Sequence, residues 1–234
     1  MNRPPLRWAY GVTTVPLRIN DLLPPTLVSL ALAGFDNPRL FVDGEQDPTL
    51  HRQRFKLETT VRYPTVRAWG NWYLALWELY LRDPYADYFA LFQDDIQLCC
   101  NTREYLERSC KLEQAYYNLY TTPENQALAA NRKGWYPSNQ LGKGALALVF
   151  TRLGIHLLFK SGYLVDRPMD QHKGHKSIDG AVVSALKNAQ WKEYVHNPSL
   201  VQHVGKVSAL GNYFLPIATT FPGEEFDAME CVQP

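Results

Sequence analysis

The chain of 234 residues lacks any apolar run approaching the roughly 18 residues that a spanning helix needs. Its start, Met1-Asn2-Arg3-Pro4-Pro5-Leu6-Arg7, lacks the apolar core of a secretory signal, so a cytoplasmic protein is expected. Cysteine is scarce: the four stand at Cys99, Cys100, Cys110 and Cys231, with no Cys-x-x-Cys pair to suggest zinc, and read as reduced structural thiols. An excess of charge of either sign is missing too. With 24 basic against 23 acidic residues the net charge is +1, which excludes a whole-molecule pull toward nucleic acid or membrane and leaves partners to be read from local sites. Internal repeats and clean linkers are also absent. What remains, 46% hydrophobic and 20% charged residues, is the composition of one substantial folded domain.

The chain is organised around Tyr88-Phe89-Ala90-Leu91-Phe92-Gln93-Asp94-Asp95-Ile96-Gln97-Leu98. The apolar run reads as a buried strand that stops at two adjacent carboxylates. An ionised carboxylate buried without a partner costs several kcal/mol, so the pair must lie at the strand's mouth, facing water, a cation or a phosphate-bound metal. Ligands bind at the carboxyl ends of strands in open α/β sheets. The bland alternative is that Asp94 and Asp95 cap the following turn.

Around this centre the sequence predicts strands and helices in alternation. Residues 8–15 form a first strand, residues 22–33 a helix capped by Asp21, and residues 39–42 a second strand ended by Asp43-Gly44. Residues 51–67 are polar and basic, read as a solvated surface. Gly70-Asn71 opens a helix over 72–81, closed by Asp83-Pro84. After the acid pair, a helix capped by Asn101 or Thr102 is expected from Arg103 to about Tyr120, then a polar segment over 125–134. A buried strand over 145–150 and a helix over 151–161 follow. Gly142 and Gly144 lack the spacing of a dinucleotide or phosphate loop.

Residues 165–177, with Asp166, Arg167, Asp170, His172, Lys173, His175 and Lys176, have hardly any apolar content and read as a mobile loop. The helix after it begins near Asp179, an anion favoured in a first turn, where capping alone would also account for it. Two short strands around Pro198 would bring His203 back toward the sheet, and the chain ends in an acidic stretch read as disordered.

Together these pieces resemble the GT-A glycosyltransferases, which use nucleotide-sugar donors. Phe92-Gln93-Asp94-Asp95-Ile96 is similar to their Asp-x-Asp metal motif, and Ile178-Asp179-Gly180 to their catalytic-base segment. Pro198-Ser199-Leu200-Val201-Gln202-His203-Val204-Gly205 with Ser208 resembles the C-terminal segment of the N-acetylglucosaminyltransferase IV type. The resemblance implies a single-domain α/β protein, a GT-A (Rossmann-like) mixed sheet flanked by helices over residues 8–215, with an extension at 1–7 and a tail at 216–234. It implies a donor, with a UDP-sugar favoured, and Mn2+ or Mg2+ held by Asp95 and His203. Asp94 would bind the metal or the donor's ribose or sugar. Gln93 stands where many relatives carry an acid, and its amide could bond a ribose hydroxyl. Thr13, Thr14, Arg18, Asp43 and, more weakly, Asn71 fall where relatives contact base and ribose. Asp179 would deprotonate the acceptor, giving inversion, with Asp170 in reserve, and the loop at 172–176 would close over the donor.

The acceptor expected is a glycan or other hydroxylated molecule; the alternative is 5-hydroxymethylpyrimidine in DNA, gripped by the basic stretch from Arg52 to Arg67 and by Lys173 and Lys176. Either suits a cytoplasmic enzyme of a bacterial cell or a virus-infected host. A nucleotidyltransferase and a binding module with a degenerate site are the rivals from other classes.

Overall fold

The computed structural model of the chain describes residues 4–165, 177–205 and 217–232. Strand and helix alternate through β1 (Trp8–Thr14), α1 (Leu23–Leu32), β2 (Arg39–Asp43), α2 (Thr49–Phe55), β3 (Thr59–Arg62), α3 (Arg67–Arg82) and β4 (Tyr88–Gln93). The second half follows with β5 (Ile96–Leu98), α4 (Thr102–Ser109), β6 (Ala115–Asn118), α5 (Pro123–Ala129), β7 (Gly134–Pro137) and β8 (Ala147–Thr151). It closes with α6 (Arg152–Lys160), α7 (Gly162–Val165), α8 (Ile178–Lys187), β9 (Lys192–Asn197) and β10 (Val201–His203).

Eight strands make one mixed sheet in the order β3-β2-β1-β4-β8-β6-β9-β7, while β5 and β10 pair in a small antiparallel sheet. The first four strands are parallel, as helical crossovers require, so their carboxyl ends share one edge. Strand β8 runs antiparallel to β4 with Phe92 opposite Ala147, which sets the start of β8 beside the acid pair.

Both sheet faces are covered, which explains why the central strands read as continuous apolar runs rather than alternating ones. Ala90 and Phe92 pack with Leu23 and Leu30 of α1 and with Tyr105 and Leu106 of α4. Phe89 and Leu91 face the other way, toward Trp72 and Leu76 of α3, Ile155 and Leu158 of α6, and Val182 and Leu186 of α8.

The helix begun at Thr102 stops at Ser109; Ala115 to Asn118, all buried, form strand β6 instead. Tyr116 and Tyr117 suit a strand, and their place between β8 and β9 outweighs any helical pattern. The polar stretch over 125–134 holds most of α5, capped by the Thr122 hydroxyl, and β7 starts at its end. The basic stretch contains α2 and the edge strand β3, with Arg62 paired to Glu78 at 2.8 Å and Arg52 donating to the Thr59 carbonyl at 2.9 Å. Gly70 and Asn71 lie inside α3, buried, rather than at its start. Asp21 makes no cap; α1 starts on Leu23 with Pro24 in its first turn, where a missing N–H costs nothing.

The acidic end is packed rather than disordered. The Cys100 and Ala228 amides donate to Glu224 and Cys100 carbonyls, and the Ser199 amide donates to the Thr220 hydroxyl, so backbone bonds hold a segment whose composition promised little.

Candidate functional site

The carboxyl ends of β1, β2 and β4 meet at one corner, with Thr13 level with Gln93 and Thr14 level with Val42. Asp94 and Asp95 are 2% and 1% exposed there, so each carboxylate needs partners. Thr14 donates its hydroxyl to Asp94 Oδ2 at 2.5 Å. One Arg18 guanidinium nitrogen spans the pair, 2.7 Å from Asp94 Oδ1 and 2.8 Å from Asp95 Oδ2. Both Asp94 oxygens are thus committed within the protein. The buried Thr26 of α1 bonds the Asp94 and Ile96 carbonyls at 2.9 and 3.0 Å and fixes the backbone of the corner.

Asp95 differs from its neighbour. His203 places Nε2 at 3.0 Å from Asp95 Oδ2, brought there by the β5–β10 pairing that sets His203 opposite Ile96. The other oxygen, Asp95 Oδ1, is buried with no hydrogen-bond partner among the described residues. A Cβ placed on Gly205 would fall 2.8 Å from Asp95 Oδ2 and 3.2 Å from His203 Nε2, so only a residue without a side chain packs against that side of the corner undisturbed. Burial pushes both carboxyls up. For Asp94 it outweighs Arg18 and Thr14, whereas His203 and Arg18 together hold Asp95 below the usual carboxylate range.

An uncommitted carboxylate oxygen, an adjacent imidazole and a glycine whose Cβ would crowd both fit a hard or borderline divalent cation. Among the described residues no cluster of three or more His, Cys, Asp or Glu could hold a metal, so two protein ligands would leave most of the shell to a ligand's oxygens and water.

The residues expected around base and ribose are gathered at the same edge, several with their polar atoms engaged. Thr13 donates weakly to the Phe92 carbonyl at 3.3 Å. Asp43, at the end of β2, accepts the Val66 amide at 2.8 Å and so caps α3 from a distance. Asn71 donates to the Phe41 carbonyl at 3.1 Å and accepts from Arg62 at 2.9 Å, a tie between α3 and the sheet. Gln93 donates its amide to the Ala145 carbonyl at 2.9 Å, joining β4 to the segment before β8.

That segment leads to Asp179. Gly144 donates its amide to Asp179 Oδ2 at 2.6 Å and Gly180 donates to Oδ1 at 3.1 Å. Gly142 sits so close that a Cβ would lie 2.6 Å from the Asp179 carbonyl oxygen. The two glycines that matched no loop motif are therefore a strap across the start of α8. Chain contacts from Gln93 through Ala145 and Gly144 connect the acid corner to Asp179. Asp170, His172, Lys173, His175, Lys176 and Ser208 lie outside the described residues.

Sequence reading missed Glu193. It is 1% exposed on β9, bonded by Ser138 and Asn118, and burial pushes its carboxyl up to about 7. A lone Glu in the run Trp191-Lys192-Glu193-Tyr194-Val195 gave no signal beyond alternation.

No protein-family model and no curated protein matches the sequence. Solved structures do resemble it. A mannosyltransferase from Pyrobaculum calidifontis, in complex with GDP-Man and Mn2+, superposes with a TM-score of 0.55 at 13% identity, covering 88% of this chain and 58% of that one. This chain thus spans somewhat over half of that enzyme's length. A protein from Bacillus anthracis, described as a glucose-1-phosphate thymidylyltransferase and bound to a sucrose, gives 0.48 at 11% identity, covering 87% of this chain and 92% of that one. At such identities the likeness is one of fold, and the fold is the Rossmann-like GT-A arrangement, a single α/β domain with its mixed sheet between helices.

Proposed function

We propose that the protein is a divalent-metal-dependent glycosyltransferase that moves a sugar from a nucleotide-sugar donor, a UDP-sugar by preference, to an acceptor hydroxyl. The observation that carries this reading is the junction of Asp95 and His203 at 3.0 Å, with Asp95 Oδ1 unspent at the carboxyl edge of a GT-A sheet. Asp95 and His203 hold the cation, Mn2+ or Mg2+, which supplies positive charge against a diphosphate leaving group. Asp94, bonded by Thr14 and Arg18, keeps the corner rigid and keeps Arg18 beside the phosphates. Thr13, Asp43 and Gln93 line the donor's base and ribose, and Asn71 supports them from α3.

Asp179 takes the acceptor hydroxyl's proton as that oxygen attacks the anomeric carbon from the face opposite the departing diphosphate, so configuration inverts. The Gly144 amide orients the carboxylate for this step. Residues 8–215 are the catalytic domain, with 1–7 an extension and 216–234 a tail whose described residues, 217–232, dock on it.

The test is a mass-spectrometric screen of nucleotide sugars with Mn2+ against glycan acceptors and hydroxymethylated oligonucleotides. A product heavier by one sugar, formed only with metal and lost in Asp179→Asn, is expected. A product carrying a nucleotidyl group would overturn the reading.

A further inference from the structure

Glu193 has no part in the chemistry described so far, yet it is the most deeply engaged carboxylate beneath the Asp179 strap. Ser138 donates its hydroxyl to Glu193 Oε2 at 2.6 Å, and Asn118 donates its amide to Oε1 at 3.1 Å. The same Asn118 nitrogen reaches the Lys143 carbonyl at 3.2 Å. Gln140 closes the ring: its amide group donates to the Glu193 carbonyl at 2.8 Å and to Ser138 at 3.0 Å, and its oxygen accepts the Glu193 amide at 3.0 Å. Both ends of the loop over 138–144 are thereby bolted to β6 and β9. The loop's last residue, Gly144, rests on the Tyr120 ring, where a Cβ would fall 2.5 Å from a ring carbon, and its amide is the one given to Asp179.

Stability alone does not call for this arrangement. Asn118, Glu193 and Ser138 are 0%, 1% and 6% exposed. Buried polar networks of this kind are commonly no more stabilising than apolar packing of the same volume. Among the described residues, Asp179 from α8 and the Tyr116 hydroxyl from β6 face Glu193, the latter near it without a hydrogen bond. What the network does fix is the direction of one backbone amide.

We propose that Glu193, with Asn118 and Ser138, is a positioning residue for sugar transfer: it clamps the loop over 138–144 so that the Gly144 amide holds Asp179 Oδ2 and turns Oδ1, which takes the Gly180 amide on one lone pair, to offer its other lone pair to the acceptor hydroxyl. This rests on the reading of Asp179 as the base, and the clamp itself is testable apart from it. The carboxylate's two acceptor oxygens are what the clamp needs, one for Asn118 and one for Ser138. A carboxamide in its place offers only one.

The experiment follows the Gly144 amide proton by 1H–15N NMR in the full chain, alongside transfer kinetics. Asp179→Asn moves that signal upfield and so assigns the bond. Glu193→Gln and, as a milder cut, Ser138→Ala are expected to move it upfield too, with amides of β2 and β3 unmoved. Both are expected to lower kcat by roughly ten- to a hundredfold with donor KM kept, the loss typical of a misplaced catalytic group. A Gly144 signal unmoved by both variants overturns the clamp. If the signal moves but Asp179→Asn still transfers sugar, the clamp stands and the base assignment falls.

Discussion

Asp95 and His203, 108 positions apart in the chain, meet at 3.0 Å because β10 pairs antiparallel with β5 directly after the acid corner. The Val204 amide donates to the Asp95 carbonyl at 2.9 Å and extends the pairing to the residue that carries the carboxylate. Backbone ladder, not side-chain attraction, sets the geometry.

Gly205 guards this junction. Its backbone can accept alanine, but the new methyl would press on Asp95 Oδ2 at 2.8 Å and on His203 Nε2 at 3.2 Å. Gly205→Ala is expected to weaken Mn2+-dependent nucleotide binding about tenfold, equivalent to ~1.4 kcal/mol, and to leave the thermal midpoint within a few degrees. Isothermal titration and a melting curve on the same preparation decide it; full affinity with the methyl in place would contradict a cation seat beside Gly205.

Arg18 carries the opposite charge for two nearly buried acids and is itself only 16% exposed. Arg18→Met removes that countercharge, with an expected cost on the order of 3 kcal/mol, because an uncompensated buried charge remains. Added Mn2+ is expected to restore part of the loss by taking the guanidinium's place. Calorimetric melting with and without metal checks both effects, and a variant as stable as the parent in chelator would rule out a buried charge cluster.

Two buried groups make stability depend on pH with opposite signs. Burial holds Glu193 at about 7 against an ordinary 4.5, so it favours the fold at low pH and that contribution is lost as pH rises through about 7. Burial likewise pushes His196 down to about 4 from 6.5, although its bond to the Pro198 carbonyl pulls the other way. Its Nδ1–H donates to that carbonyl at 2.7 Å while Tyr105 donates to Nε2 at 2.6 Å, leaving no lone pair for a further proton. His196 thus contributes stability above pH 6.5 that is lost as pH falls toward about 4. Each effect has a ceiling of ~3 kcal/mol. Glu193→Gln is expected to gain on the parent from about pH 5 to about pH 8, and His196→Gln from about pH 6.5 down to about pH 4. Denaturant melts across that range measure the slopes; parallel curves for parent and variants would refute the assignment.

The strand exits were legible because covering both sheet faces forces an unbroken apolar run, so Asp94 and Asp95 stood out where it stopped. Asp43 was legible as a strand end, but its service to the Val66 amide was not, since a cap supplied from another element leaves no local pattern. Arg18 was legible as a guanidinium in the turn after the first strand, but its two acids lie 76 and 77 positions away and spacing could not pair them. Asn118, Ser138 and Glu193 were invisible for a further reason: each is a single polar residue on a strand or loop, and only the sheet order brings them together. The helix drawn through Tyr116 and Tyr117 failed because burial between β8 and β9, not local propensity, decides those residues.

Donor binding as proposed requires a cation held by Asp95 and His203 against the diphosphate. Titrating the protein with uridine diphosphate, with Mn2+ and then with chelator, tests it most directly. Binding that requires Mn2+ in the parent and is lost in both Asp95→Ala and His203→Ala, with Asp179→Asn binding as the parent does, is the predicted result. Equal binding in chelator, or variants that bind as tightly as the parent, would contradict it.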